Sequence, residues 1–165
     1  MADNNLDSYF TTGGDDELKQ VISLYGQPLL RYCHNILCDY AEAQDAVQIT
    51  FIKAYRKRMS FKKDTSLSAW LYRIAYTTCI DILRKKKLLF FISSVKSREG
   101  DSYISEELKD ALLSLSPVDR ALVFSRAIDE KSYAELEQIY QVSATTLRKR
   151  YERAKIKLAG MLLDR

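Results

Sequence analysis

The sequence predicts an all-α protein: two small helical domains joined by a flexible linker. Three observations carry that expectation. Apolar residues recur at helical spacing through most of the 165 residues, and no run alternates for long enough to make a convincing strand. Five glycines and two prolines leave few breaks between long helices. A polar stretch without a period separates two such blocks, and the chain is long enough for two small domains.

Residues 1–14 carry no period and end in Gly13-Gly14, which predicts a loose tail. From Leu18, the positions Val21, Ile22, Tyr25, Leu29, Tyr32, Cys33 and Ile36 follow helical spacing. Pro28 is expected to kink that helix or restart it. Asp39 with Glu42 three residues on reads as a capping box. The helix behind it places Ala43, Val47, Phe51, Ala54 and Tyr55 on one face. Polar residues from Ser60 to Ser66 break the pattern, and a further helix starts near Leu67 and repeats through Trp70, Leu71, Ile74, Thr78 and Ile82. Leu88 to Ile92 is either the end of that helix or a short extended piece.

Residues 93–102, polar and containing Gly100, read as the linker between domains at 15–92 and 103–165. Fully extended, such a segment reaches about 35 Å, roughly one turn of duplex DNA. In the second block Ile104, Leu108, Ala111, Leu112 and Leu115 mark one helix. Ser116-Pro117 supplies N-cap and first-turn proline for the next, running to about Ile128. Ser132 with Glu135 is a second capping box, opening a short helix to Tyr140. Ser143 caps the last helix, whose inner face is Leu147, Tyr151, Ala154 and Leu158.

Charge is informative by position. The net charge is only +4. Asp3, Asp7, Asp15, Asp16 and Glu17 make the start acidic, against Lys19 alone. Three basic clusters follow: Lys53, Arg56, Lys57, Arg58, Lys62 and Lys63; then Arg84 to Lys87; then Arg148, Lys149, Arg150, Arg153, Lys155 and Lys157. Basic residues gathered in three places suit a polyanion touched at several points. Solvated helix faces are the plainer reading of any one cluster.

Other classes find little support. The longest apolar runs are about five residues, against the ~20 needed to span a bilayer. Polar and acidic residues follow Met1, so no signal peptide and no membrane insertion are expected. Three cysteines without a CxxC fit a reducing cytoplasm. Cys33, His34 and Cys38 fan out on a helix, with Cys33 and Cys38 about 140° apart, so core thiols are expected and no metal. One His, no Gly-rich loop and no nucleophile–base pair give no enzyme and no cofactor.

The strongest local signal is a helix–turn–helix over Tyr133–Arg153, the unit that lays its second helix in a major groove. With Leu147, Tyr151 and Ala154 inward, Thr145, Thr146, Arg148 and Lys149 lie outward. Arg150 and Arg153 flank the inner face within reach of phosphates. Ser143 and the amides that open the helix suit a phosphate. Such units usually have a small residue in the first helix and Gly in the turn; here Glu137 and Gln141 stand there, which predicts a reshaped turn.

The stretches DAVQITFIKAYRK (45–57) and SFKKDTSLSAWLYRIAYTTCIDILRKKK (60–87) resemble region 2 of bacterial RNA polymerase sigma factors of the extracytoplasmic function (ECF) group. LSLSPVDRALV (113–123) and SYAELEQIYQVSATTLRKRYERAKIKL (132–158) resemble region 4 of the same group. The chain departs from the group's common pattern at Ile49, where an acid is usual, and at Thr77, where Asn is usual. The resemblance implies a promoter-recognition subunit that binds core RNA polymerase. Asp45, Gln48, Phe51, Lys53 and Arg56 would serve the β′ clamp, and region 4 the β flap. Phe61, Lys62, Lys63, Tyr72, Arg73, Tyr76, Thr77, Arg84, Lys85 and Lys86 would hold the −10 element, the aromatics by stacking on bases. Trp70 is expected in the core. Ser143, Thr145, Thr146, Arg148, Lys149, Arg150 and Arg153 would read the −35 element. The resemblance further implies an anti-sigma factor, which the exposed apolar 88–92 stretch could help to bind. Two other readings are open to the residues: a polymerase-independent helix–turn–helix regulator, with dimers on palindromic half-sites, and a helical adaptor for an acidic protein.

Overall fold

The structure, a computed structural model, describes residues 6–7, 10–62, 65–92 and 105–163, and of residues 90–92 the backbone alone. Lys63 and the expected linker at 93–102 lie outside the described residues. Among those described there are seven α-helices and no strand: α1 (Asp15–Leu37), α2 (Tyr40–Arg56), α3 (Leu67–Ile92), α4 (Glu106–Leu113), α5 (Pro117–Ala127), α6 (Tyr133–Tyr140) and α7 (Ala144–Leu163). A 3-10 turn, Arg58–Ser60, follows α2.

The first helix carries Asp15, Asp16 and Glu17 in its opening turn, where negative charge meets the positive end of the helix dipole. It ends at Cys38 in the left-handed conformation, φ 55°. It does not restart at Pro28. The carbonyl that a proline leaves without its helical partner belongs to Leu24, on an exposed face where water serves. Asp39 accepts the Glu42 amide at 2.9 Å and caps α2. The expected box is only half made, because the Glu42 carboxylate turns to Lys86 Nζ on α3, 3.2 Å away.

The start of α3 is capped from two sides: Ala69 N donates to Ser66 Oγ at 3.2 Å and Leu67 N to Asp7 at 3.4 Å. Asp7 comes from the segment expected to be a loose tail. There Leu6 and Phe10 are buried, and the Phe10 ring meets Trp70 edge-on at 6.1 Å. Two apolar residues four apart are too few for a period to register. Helix α3 then runs on through Ile92, so the 88–92 stretch is its last turn. Caps at Ser105, Ser116 and Ser132 open α4, α5 and α6.

One core cluster runs through both halves of the chain, and a smaller one of Leu115, Val123 and Ala154 lies within the second. One side of α1 packs against α2 and α3, and α5 packs on it as well; α6 lies on α3. Tyr32 of α1, fully buried, meets the Tyr72 ring of α3 at 4.9 Å and Phe124 of α5 at 6.2 Å. Arg120 of α5 is 4% exposed. Its Nε donates to the Ile36 carbonyl at the end of α1, 2.9 Å away. One terminal nitrogen donates to the Leu115 carbonyl at 2.9 Å and to the Leu112 carbonyl at 3.4 Å. A planar guanidinium thus serves carbonyls from two elements; that of Leu112 also accepts the Leu115 amide at 3.0 Å.

Candidate nucleic-acid interface

Helices α6 and α7 form the expected helix–turn–helix. Ser132 and Glu135 close the capping box of α6, with the Ser132 amide donating to Glu135 at 2.8 Å and the Glu135 amide to Ser132 Oγ at 3.2 Å. Gln141 ends the helix at φ 56°, the left-handed position where Gly is usual. Its cost is on the order of 1 kcal/mol. The Gln141 side-chain amide donates to the Gln138 carbonyl at 2.8 Å and helps hold the turn. Glu137 reaches across that turn and accepts the Ala144 amide at 2.5 Å, tying the first helix to the start of the second.

At the opening of α7 Ser143 Oγ accepts the Thr146 amide at 3.4 Å and donates to Thr146 Oγ1 at 3.0 Å. The phosphate-binding role expected of this helix start therefore shares its amides with a carboxylate and a hydroxyl. Beyond it, Thr145, Thr146, Arg148, Lys149, Arg150 and Arg153 are exposed, while Leu147 and Ala154 are buried. Arg150 Nε donates to Asp119 of α5 at 2.6 Å. Thr146, Lys149, Arg150 and Arg153 border a cleft of about 300 Å³ beside Asp119. The Arg148 guanidinium sits 4.8 Å from the centre of the Tyr133 ring, and Arg126 sits over the same ring at 4.9 Å. An exposed helix face with four cations suits phosphate oxygens and base edges.

The residues expected at the −10 element divide. Arg73 and Thr77 are exposed, as are Lys62, Arg84, Lys85 and Lys86. Thr77 Oγ1 turns back on its own helix, 3.0 Å from the Ile74 carbonyl. Phe61 is not offered for stacking: it is buried, its ring 5.3 Å from Trp70. Lysines around a loop aromatic suggest exposure, but Trp70 gives that ring an apolar partner. Trp70 itself packs on the core, as expected. Tyr72 is buried as well, under Lys131, whose Nζ lies 4.0 Å from its ring centre. Burial and a hydrogen bond to Asp129 hold its phenol pKa well above the usual range. Tyr76 is half-buried, edge-on to Tyr140 at 4.9 Å. Helix α6 and the connection that precedes it thus cover the aromatic face of α3.

On α2, Asp45, Gln48 and Arg56 are exposed, together with Ile49 and Ile52. Phe51 is buried and anchors the helix from behind. Lys53 folds inward, donating to Thr78 Oγ1 on α3 at 3.1 Å. Between α1 and α2 lies an apolar groove of about 480 Å³, with Ile22, Phe51 and Ile52 in its wall and Gln48 and Arg56 beside them. Among the described residues no cluster of His, Cys, Asp and Glu could hold a metal ion, and no helix is long and apolar enough to cross a membrane. Cys33 and Cys79 are buried; contact with Cys33, then burial, raises the Cys79 thiol pKa, so it stays protonated.

The site residues that the sequence did not reveal are Glu137 as a cap, Asp119 as the partner of Arg150, and Arg126 with Tyr133 beside Arg148. Only Glu137 left a trace there: an acid one turn before the left-handed position, facing the next helix start.

Comparison with known proteins gives the same architecture. Residues 21–88 match the sigma-70 region 2 family and residues 105–158 the sigma-70 region 4 family. The chain is 29% identical to the ECF RNA polymerase sigma factor SigW of Bacillus subtilis, covering 92% of each chain. It is 31% identical to the ECF RNA polymerase sigma-E factor of Escherichia coli, over 69% of this chain and 70% of that one. Its fold is similar to that of the sigma factor RpoE in complex with the anti-sigma factor NepR from Bartonella quintana (TM-score 0.78, 24% identity, 90% of this chain and 98% of that one). It is also similar to CnrH in complex with the cytosolic domain of CnrY (TM-score 0.78, 22% identity, 98% and 97%). With a region 2 and a region 4 in order on one chain, and a helix–turn–helix presenting a basic face, this protein belongs to the ECF group of sigma-70 RNA polymerase sigma factors.

Proposed function

We propose that the chain acts in the cytoplasm as an alternative sigma factor: it binds core RNA polymerase, recognises −35 and −10 promoter elements, and promotes DNA opening, with no catalysis of its own. The observation that carries this reading is one chain joining two surfaces, the exposed polar side of α2 and the basic face of α7. Asp45, Gln48 and Arg56, beside the α1–α2 groove, are assigned to the β′ clamp, with Phe51 and Lys53 holding their helix in place. The last helices are assigned to the β flap. Thr145, Thr146, Arg148, Lys149, Arg150 and Arg153 serve the −35 element, with Ser143 as cap. Arg73, Thr77, Lys62, Lys63 and Arg84 to Lys86 hold the −10 strand, with Tyr76 and Tyr72 reaching bases once α6 and the connection that precedes it leave α3.

That covered aromatic face supports regulation by partners. A chain in this arrangement hides −10 residues, so an anti-sigma factor that holds it closed keeps it silent, and polymerase that opens it activates it. Both solved relatives above carry such a partner or a cytosolic domain bound. Weak readers also gain from being joined: fixed together on polymerase, each raises the effective concentration of the other.

Reconstitution tests the reading. Purified chain added to core polymerase should co-elute with it and start transcription on promoter DNA. Failure of both would sink the proposal; a palindromic footprint by the chain alone would favour a polymerase-independent regulator.

A further inference from the structure

Arg148 and Arg150 stand on one helix face but are held in opposite ways. The Arg150 fork spends a donor on the Asp119 carboxylate at 2.6 Å. Arg148 has no ion pair among the described residues; its guanidinium lies 4.8 Å from the centre of the Tyr133 ring. The Tyr133 ring is itself fixed. It is half-buried at the start of α6, packs on the core, and carries Arg126 at 4.9 Å. Arg126 is tethered in turn, donating to the Lys131 carbonyl at 3.1 Å.

The difference matters chemically. A carboxylate holds a guanidinium by occupying its N–H groups. An aromatic face holds it through charge and quadrupole, and leaves those N–H groups unspent. Bidentate recognition of guanine O6 and N7 needs two donors in one plane at the correct tilt. We propose that Tyr133 is a positioning residue that presets the Arg148 guanidinium to read a guanine edge in the −35 element. The proposal rests on α7 being the −35 reader. Arg150, already engaged, serves the backbone instead. Ordering a long side chain before DNA arrives removes part of the cost of immobilising it on binding, an effect of roughly 2- to 10-fold.

The test uses core polymerase carrying the full chain and a set of promoters varied at each −35 base pair, with the −10 element as internal reference. Arg148→Ala should abolish preference at one pair. Tyr133→Leu should reduce preference at that same pair by roughly 2- to 10-fold. Tyr133→Phe should keep it, and Tyr133→Leu added to Arg148→Ala should change nothing further there. If Arg148→Ala leaves every −35 preference intact, the reading of Arg148 itself falls. If Arg148→Ala removes a preference that Tyr133→Leu leaves whole, the role of Tyr133 falls while the −35 reader stands. Uniform weakening on all −35 variants by Tyr133→Leu also overturns it. A second measurement does not depend on a folded variant: the Arg148 side-chain NMR resonances should carry a ring-current shift in the wild-type chain, and random-coil values would overturn the proposal.

Discussion

The phenol oxygens of Tyr32 and Tyr140 lie 2.9 Å apart, although 108 residues separate them in the chain. Tyr140 is also 2.9 Å from Ser125 Oγ, so three hydroxyls from α1, α5 and α6 form one buried chain. Burial raises the pKa of both phenols far above the usual range, and they stay neutral. A hydroxyl can donate and accept, so Tyr140, in the middle, makes one bond of each kind.

Removing its middle member strands the other two. Tyr140→Phe should lower the stability of the full chain by about 1–3 kcal/mol, read by urea unfolding. Combined with Tyr32→Phe it should cost less than the sum of the two, because both remove the same bond.

Arg120 makes a larger contribution. Arg120→Met keeps much of the volume but leaves the carbonyls of Ile36 and Leu115 without the guanidinium that donates to them. A loss on the order of 3 kcal/mol is expected. Arg120→Lys should recover little of it, since a compact ammonium cannot span both acceptors. Equal stability of the Arg, Met and Lys forms would refute this account.

His34 gives the protein a pH dependence that belongs to one residue, since the chain has a single histidine. It is buried against Tyr40, and burial first, with Lys109 adding and Asp39 opposing, lowers its pKa below the ordinary 6.5. The unfolded chain therefore takes up the proton first on acidification. Its contribution to stability is complete above pH 6.5 and is lost as pH falls through the lowered folded value. Unfolding free energies measured between pH 8 and pH 5.5 should decline below 6.5 in the wild type, with a shallower decline in His34→Gln.

Glu137 is expected to act as a cap. Glu137→Ala should cost about 1 kcal/mol in thermal melting, and Glu137→Gln, which keeps an acceptor, should cost less. If both melt like the wild type, the Ala144 contact contributes nothing in solution.

The Asp119–Arg150 pair tempers the charge that α7 offers to DNA. Asp119→Asn should release Arg150 and steepen the dependence of log affinity on log salt by about one unit in −35 binding by the holoenzyme. An unchanged slope would show that the Asp119 pair does not limit what Arg150 offers to DNA.

Helix starts were the most legible part of the sequence, because caps are local. Ser116 with Pro117, Ser132 with Glu135, and the start at Leu67 all stand where the residues put them. What covers a helix was not legible. Periodicity places Tyr32 on an inner face and leaves Tyr72 to be read as a base-stacking residue, because nothing within a few residues says that α1 and the segment before α6 bury it. Phe61 misled because its neighbours in sequence are lysines and its neighbour in space is Trp70. The basic face of α7 was legible in full, since helical geometry alone separates Leu147 and Ala154 from the arginines. Its partners Asp119 and Tyr133 come from other helices and left no mark on it.

The buried hydroxyls and guanidinium at the centre of the joint between the two halves bear on how it can come apart. A joint made only of aliphatic side chains, once opened, would present a sticky surface and invite aggregation. Here the bonds that cross the joint, Tyr32 to Tyr140 and Arg120 to the Ile36 carbonyl, join groups that water can serve once they part. If the chain opens as proposed, the same bonds that hold it shut leave polar groups on the exposed faces, which suits a component recycled between polymerase and a sequestering partner.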